Sequence, residues 1–392
     1  MPEGNKKTKL RDPALDSVKG VAILIVMIGH CIVLNGLDKD DPYIYDAIKS
    51  VQMPLFMMVS GIIASKSSLK LSSLKKRTVS YMLPYFSWFV ISYIWARIRD
   101  IASGLQPVFS VKDFCSELIA LLFMTDRGLW FLSTLFVITL SVTIASNLSS
   151  AIIDKIILNK ANGSEESGLS RIRSISTPLL TILFSCVFYV LYFLQSRLGN
   201  TFLSPALTVQ YMPFYMLGFA GGHLNAVRRM YHSDVVSEDA SKDHDKKTEP
   251  AGTSAASILY KYSIPSVFFI VFVFMVIRFD LTAPAVSFAA FALQMAASFF
   301  GTLSIFGFTY GIAEKKSFKK LAQLGTFTLE IYVLHFRFAR ILKIAGKGLS
   351  LYSPAGFLWL ILTFAVMSIL TALCIFIIKK IRILDLILFG KL

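Results

Sequence analysis

The chain has 392 residues, of which 55% are apolar and only 16% charged; phenylalanine alone occurs 33 times. With a mean hydropathy of +0.63, that balance excludes an ordinary soluble domain and describes a polytopic membrane protein. The net charge of +16 sits in short basic clusters between apolar runs, which excludes nucleic acid as a partner and fits the positive-inside bias of membrane proteins.

Residues 1–17 form a polar tail with Lys6, Lys7, Lys9 and Arg11. They lack the pattern of a cleaved signal, so the first helix is expected to be retained. Spans of the required length are expected at residues 18–36, 50–66, 79–97, 128–148, 177–195, 207–226, 263–279, 285–312, 325–345 and 356–378. The apolar piece at 114–125 is too short to cross and reads as a re-entrant or interfacial helix. The fold class is therefore all-α, with about ten transmembrane helices and one short re-entrant or interfacial helix, in one membrane domain over residues 1–392.

Ten spans put every basic link on one side: the tail, the link with Lys66 to Arg77, the loop with Lys155 to Arg173, the loop with Arg228 and Arg229, the "EKKSFKK" link, and the "KKIR" end. That side is the cytoplasm, and both termini lie there. The loop at 225–261 is charged and poor in large apolar residues, which suits a flexible cytoplasmic connector. Cys31, Cys115, Cys186 and Cys374 stand singly in apolar surroundings, so neither a disulfide nor a metal is implied.

The first span, "LDSVKGVAILIVMIGHCIVLNG", carries Lys19 near its start and His30 inside the apolar run. Eleven residues bring the two within roughly 20° of one helix face and about 16 Å apart along the axis. Asp16, one turn before Lys19, can pair with it. An intramembrane histidine is rare and marks a pathway or a reaction, and a neutral imidazole can act as a general base. Glu330 and Arg337 of the ninth span share a face, while His335 points elsewhere. Trp130 at the outer end of the fourth span reads as an interfacial anchor, with stacking on a sugar as the second reading. Lys75, Lys76 and Arg77 are either topology signals or a seat for phosphates.

A basic residue, ten intervening residues and a histidine in the first helix resemble the signature of the acyltransferase family 3 membrane proteins. The stretch is most similar to the branch containing fucose 4-O-acetylase and related glycan acetyltransferases. Further segments resemble that family in order: "QMPLFMMVSG" from Gln52, "KKRTVSYMLPY" from Lys75, "LWFLSTLF" from Leu129, "YMPFYMLGFAGG" from Tyr211 and "LGTFTLEIYVLHF" from Leu324. One departure is Gln52, where the branch commonly has a histidine before Met-Pro; an amide can hydrogen-bond but cannot act as a base.

The resemblance implies a cell-membrane O-acyltransferase with acetyl-CoA as the acyl donor and cosubstrate, no metal, and a cell-surface or lipid-linked carbohydrate as the acceptor. On that reading His30 is catalytic. Lys19, Asp16, Lys76 and Arg77 serve the donor, and Gln52, Trp130, Glu330, His335 and Arg337 line the acceptor pocket. The alternative, a proton-coupled or lipid-linked-sugar transporter, explains the buried histidine but leaves the ordered motifs without a role.

Overall fold

The structure is a computed structural model that describes residues 12–38, 43–67, 69, 74–105, 110–123, 129–160, 166–223, 255–281, 287–313, 318–339 and 348–391. Among them are thirteen α-helices and no strand. These are α1 Pro13–Asn35, α2 Ile44–Ser65, α3 Leu74–Ala102, α4 Val111–Phe123, α5 Trp130–Lys160, α6 Glu166–Arg197 and α7 Pro205–His223. They continue as α8 Ala255–Arg278, α9 Phe288–Ile312, α10 Lys319–Gly325, α11 Thr328–Phe338, α12 Pro354–Lys379 and α13 Arg382–Phe389.

Helix occupies each of the ten expected spans, and six helices are long and apolar enough to cross a membrane: α1, α2, α5, α6, α9 and α12. In α8 the apolar part is the shorter Tyr262–Arg278. The apolar stretches of α3 and α7 are rich in Tyr, Trp, Ser, Gly and Pro, which add little on a transfer scale although the helices form. The ninth span departs from expectation. Gly325 ends α10, and Thr326 and Phe327 make a turn whose amides donate to the carbonyls of Gln323 and Leu324. Helix resumes only as α11, so residues 325–345 begin with a break, and 340–345 lie outside the described residues.

Two expected boundaries also move. The first helix starts at Pro13, inside the expected 1–17 tail, because Asp12 caps it: its Oδ1 accepts from the amides of Ala14 and Leu15, and Pro13 suits the first turn. Helix α8 starts at Ala255, inside the expected 225–261 connector. The rest of that connector up to 254, and the tail up to residue 11, lie outside the described residues.

By its contacts the chain divides into two compact units. One comprises Met1–Leu55, Met230–Tyr332 and Ala339–Phe364; the other comprises Phe56–Arg229, Val333–Phe338 and Ala365–Leu392. In the first unit α1 ends in a Schellman cap: Gly36, at φ 70°, donates to Val33 O, and Leu37 donates to Ile32 O. The apolar contact that accompanies such a cap is present, with Ile32, Leu37 and Leu351 buried together. Helices α8 and α9 pack through Phe272, Met275, Val276 and Ala297, with Val51 of α2 against them.

In the second unit α5 buries Leu132, Leu135, Ile138, Val142 and Ala145, a stripe at three- and four-residue spacing that faces the core. Helix α7 meets the end of α2 at backbone distance. A Cβ on Gly61 would strike the carbonyl of Tyr215, and one on Gly218 would strike the carbonyl of Met58. Small residues allow such close helix packing in lipid, where van der Waals contact replaces the hydrophobic drive. Helix α4 has 13 residues and lies back along α3. Asp113 meets Tyr93 and Arg97 near the end of α3, Phe114 packs on Phe89 and Tyr93, and the Leu121 carbonyl accepts from Tyr85. As the contacts on α4 run forward those on α3 run backward, so the short helix is antiparallel to its neighbour.

Candidate active site

Helix α1 carries the first group of site residues. Lys19 Nζ pairs with Asp16 Oδ1 at 2.5 Å, with side chains only 16% and 8% exposed. The pair is therefore enclosed, where a surface anchor would be open to solvent. What encloses it is α10 with the residue before it: Ser17 Oγ lies within 3.5 Å of Phe318 O, to which it donates, and Gly325 lies so close to Asp16 that a Cβ would strike the Asp16 carbonyl. A Cβ on Gly20 would likewise strike the Leu321 carbonyl.

Further along, Asn35 Nδ2 donates to the carbonyl of Cys31 and, at 3.4 Å, to that of Ala339. The segment from α10 through α11 thus meets α1 near both of its ends. Glu330 of α11 is fully buried.

His30 is half-buried, while its neighbours Gly29 and Cys31 are buried. Gln52 of α2 lies against the same turn: a Cβ on Gly29 would sit 3.2 Å from Gln52 Oε1, and packing against Ile48 would already crowd it. The Gln52 Oε1 atom is buried and has no hydrogen-bond partner among the described residues. An acceptor atom in that state readily takes a donor group.

The remaining predicted residues belong to the second unit. Arg77 Nη2 donates to Ser67 Oγ at 2.7 Å, while Lys76 is exposed. Trp130 starts α5 and stacks on Tyr211 of α7, with ring centroids 5.5 Å apart at 25°, and meets Phe131 edge-on. One face of its ring is thereby occupied by protein. His335 is fully buried in α11. Arg337 Nη2 donates to Ser92 Oγ at 2.6 Å and its guanidinium lies 4.8 Å from the ring of Trp88. Trp88 in turn donates its indole N–H to Leu388 O of α13.

Several of these partners escape a reading of the sequence. Trp88 and Ser92 share a face of α3 at i, i+4, but nothing local links them to an arginine 245 residues away. Tyr211 looks like one more aromatic in an aromatic helix. The turn before α7 holds Leu203 and Ser204 at φ 53° and 54°, a left-handed conformation unusual for side chains of this kind. It is pinned by Leu203 N–H donating to Leu122 O of α4.

Comparison with known proteins supplies the class of chemistry. Residues 12–388 match the acyltransferase domain of the Acyl_transf_3 family. Two nodulation proteins NolL are similar over a part of the chain. The one from Sinorhizobium fredii (strain NBRC 101917 / NGR234) is 30% identical over 137 residues, 33% of this chain and 36% of the relative. The one from Mesorhizobium japonicum (strain LMG 29417 / CECT 9101 / MAFF 303099) is 28% identical over 138 residues, 33% of this chain and 35% of the relative. The chain thus spans about a third of the length of the curated relatives it matches. No solved structure matches. Because the domain match runs from the cap of α1 through most of α13, this chain belongs to acyltransferase family 3.

Proposed function

We propose that the protein transfers an acetyl group from acetyl-CoA to a hydroxyl of a cell-surface or lipid-linked carbohydrate, within the cytoplasmic membrane. Both termini face the cytoplasm in this reading, and His30 is the general base. The observation that carries it is an imidazole, His30, left only partly buried between two buried neighbours, on a helix that also holds the enclosed Lys19–Asp16 pair, in a chain of this family. A thioester is already activated, so the enzyme has to position the two substrates and remove the hydroxyl proton. The acceptor oxygen attacks the thioester carbonyl, its proton passes to His30, and the C–S bond breaks to release coenzyme A as thiolate. The proton on His30 then returns to that thiolate.

Lys19, Lys76 and Arg77 supply the cations that the donor's phosphates require, and Asp16 holds the Lys19 ammonium in place. Gln52, Glu330, His335, Arg337 and Trp130 shape the acceptor side. A covalent acetyl-histidine is the alternative use of the same imidazole. Purified protein given acetyl-CoA labelled in the acetyl group and a mixture of bacterial glycans tests the reading. Label in an alkali-labile ester on sugar is expected. Label that stays on coenzyme A, or leaves only as acetate, would overturn the assignment. Acid-quenched protein carrying stoichiometric label would favour the covalent route.

A further inference from the structure

The second unit contains a cavity lined by no residue that the proposed reaction uses, although one lining residue, Ser67, accepts from Arg77. Its volume is about 340 Å³, toward the low end of the roughly 300–1,000 Å³ typical of small-molecule sites. It lies where the C-terminal parts of α5 and α7, the N-terminal part of α6 and the segment after α2 come together. Six of its eleven lining residues carry hydroxyls, Ser67, Ser146, Ser150 and Thr177 among them; Arg173 and His223 add nitrogen, and none is acidic.

Three observations give this lining a direction. First, Arg173 is exposed and pairs with Asp154 at 2.9 Å, a pair 58% and 42% open to solvent. Such exposed pairs hold their partners weakly, so the guanidinium is available to a better anion. Second, Thr177 Oγ1 is buried without a hydrogen-bond partner among the described residues. One and two turns further on, Thr181 and Ser185 instead donate back to the carbonyls of Thr177 and Thr181. Third, Ser67 already accepts from Arg77, which leaves its lone pairs engaged by a cation while the wall stays polar. This is the end at which Lys66 follows α2, Lys75 and Lys76 open α3, and Lys155 lies in the last turns of α5.

A hydroxyl-rich wall with a guanidinium at its edge and no acidic residue in its own lining suits one ligand class, an oxyanion that accepts several hydrogen bonds at once and can displace the exposed Asp154. We propose that this cavity binds a phosphoryl group, carried either by a soluble phosphorylated molecule on the basic side of the membrane or by a phospholipid headgroup. The inference does not depend on the proposed acetyl transfer. Normal glycan acetylation without phosphoryl binding would sink it alone, and phosphoryl binding without acetylation would sink only the proposed function.

The test uses the full-length protein and two probes. Inorganic pyrophosphate is titrated against detergent-purified protein with thermal unfolding as the readout. In parallel, native mass spectrometry counts dioleoyl phosphatidic acid retained from nanodiscs of phosphatidylcholine doped with that lipid. Arg173→Gln and Thr177→Val are compared with wild type after both are shown to be monodisperse. Binding of either probe to wild type, weakened about tenfold or more by Arg173→Gln as expected for a lost charge-assisted contact and also weakened by Thr177→Val, supports the proposal; the probe that binds identifies the source. Failure of both probes to bind wild type, or equal binding to all three proteins, overturns it. Should Arg173→Gln not fold, Arg173→Lys serves instead. It keeps the charge and loses the fork, so unchanged pyrophosphate and lipid binding in both it and Thr177→Val also counts against the site.

Discussion

At the scale of single residues, His30 and Lys19 answer to different physics although they share a helix face. His30 is half-buried, so His30→Gln, which keeps size and hydrogen bonding but lacks a useful proton acceptor, is expected to leave folding intact. It should lower acyl transfer by of the order of 10²-fold or more. Near-normal turnover by purified His30→Gln would make the imidazole structural. Lys19 is mostly enclosed and paired with Asp16. Removing one member of an enclosed pair strips the other of its counter-charge, which costs about 3 kcal/mol or more. Lys19→Ala is thus expected to lower the thermal midpoint as well as donor affinity. The double variant Lys19→Met with Asp16→Asn should recover much of the stability but not the affinity; a double variant as unstable as Lys19→Ala would exclude charge pairing as the cause.

At the scale of elements, two contacts invite a direct test. Helices α2 and α7 approach through Gly61 and Gly218 with no room for a Cβ at either. Gly218→Val is expected to cost about 3 kcal/mol, at the severe end of overpacking, and to appear as aggregated protein in size-exclusion chromatography. A monodisperse variant with an unchanged midpoint would show that the two helices have slack.

The second contact pins α4 to α3. The Tyr93 hydroxyl, first, and then the Arg97 guanidinium hold the Asp113 carboxyl below its ordinary value of 3.8. A depressed folded pKa means stability that is present above about pH 3.8 and lost as the pH falls towards the folded value. Wild type should therefore unfold at a higher temperature than Asp113→Asn at neutral pH, with the gap closing as the pH drops through the carboxylate range. A gap that stays constant with pH would show that the pin does not depend on the carboxylate charge.

For the whole molecule, the expected sidedness is the property on which every functional assignment leans. Single cysteines at Ser237 and Gly199, in a background without Cys31, Cys115, Cys186 and Cys374, should label from opposite sides of the membrane with an impermeant maleimide. Labelling from one side would remove the ten-span topology and move the basic links away from the donor. The helices bear on this only through composition: among the described residues six meet the length and apolarity of a span.

The sequence alone determined the solvent of this protein, its helical class, the order of its helices and the family to which it belongs. Those properties follow from hydropathy, charge clusters and short-range spacing, which are local. It also placed Lys19 and His30 on one face of α1, because eleven residues of helix fix that angle. Tertiary structure decided the rest. Only packing against α10 turned Lys19 and Asp16 from a boundary pair into an enclosed one. Only the fold brought Phe318 to Ser17 and Ala339 to Asn35, near the two ends of α1. Arg337 found Trp88 and Ser92, and Trp130 found Tyr211, across separations at which periodicity carries no information. The physical reason is the same in each case: a hydropathy pattern says which residues leave water, whereas the partner a polar group meets in lipid depends on where glycines let two helices touch.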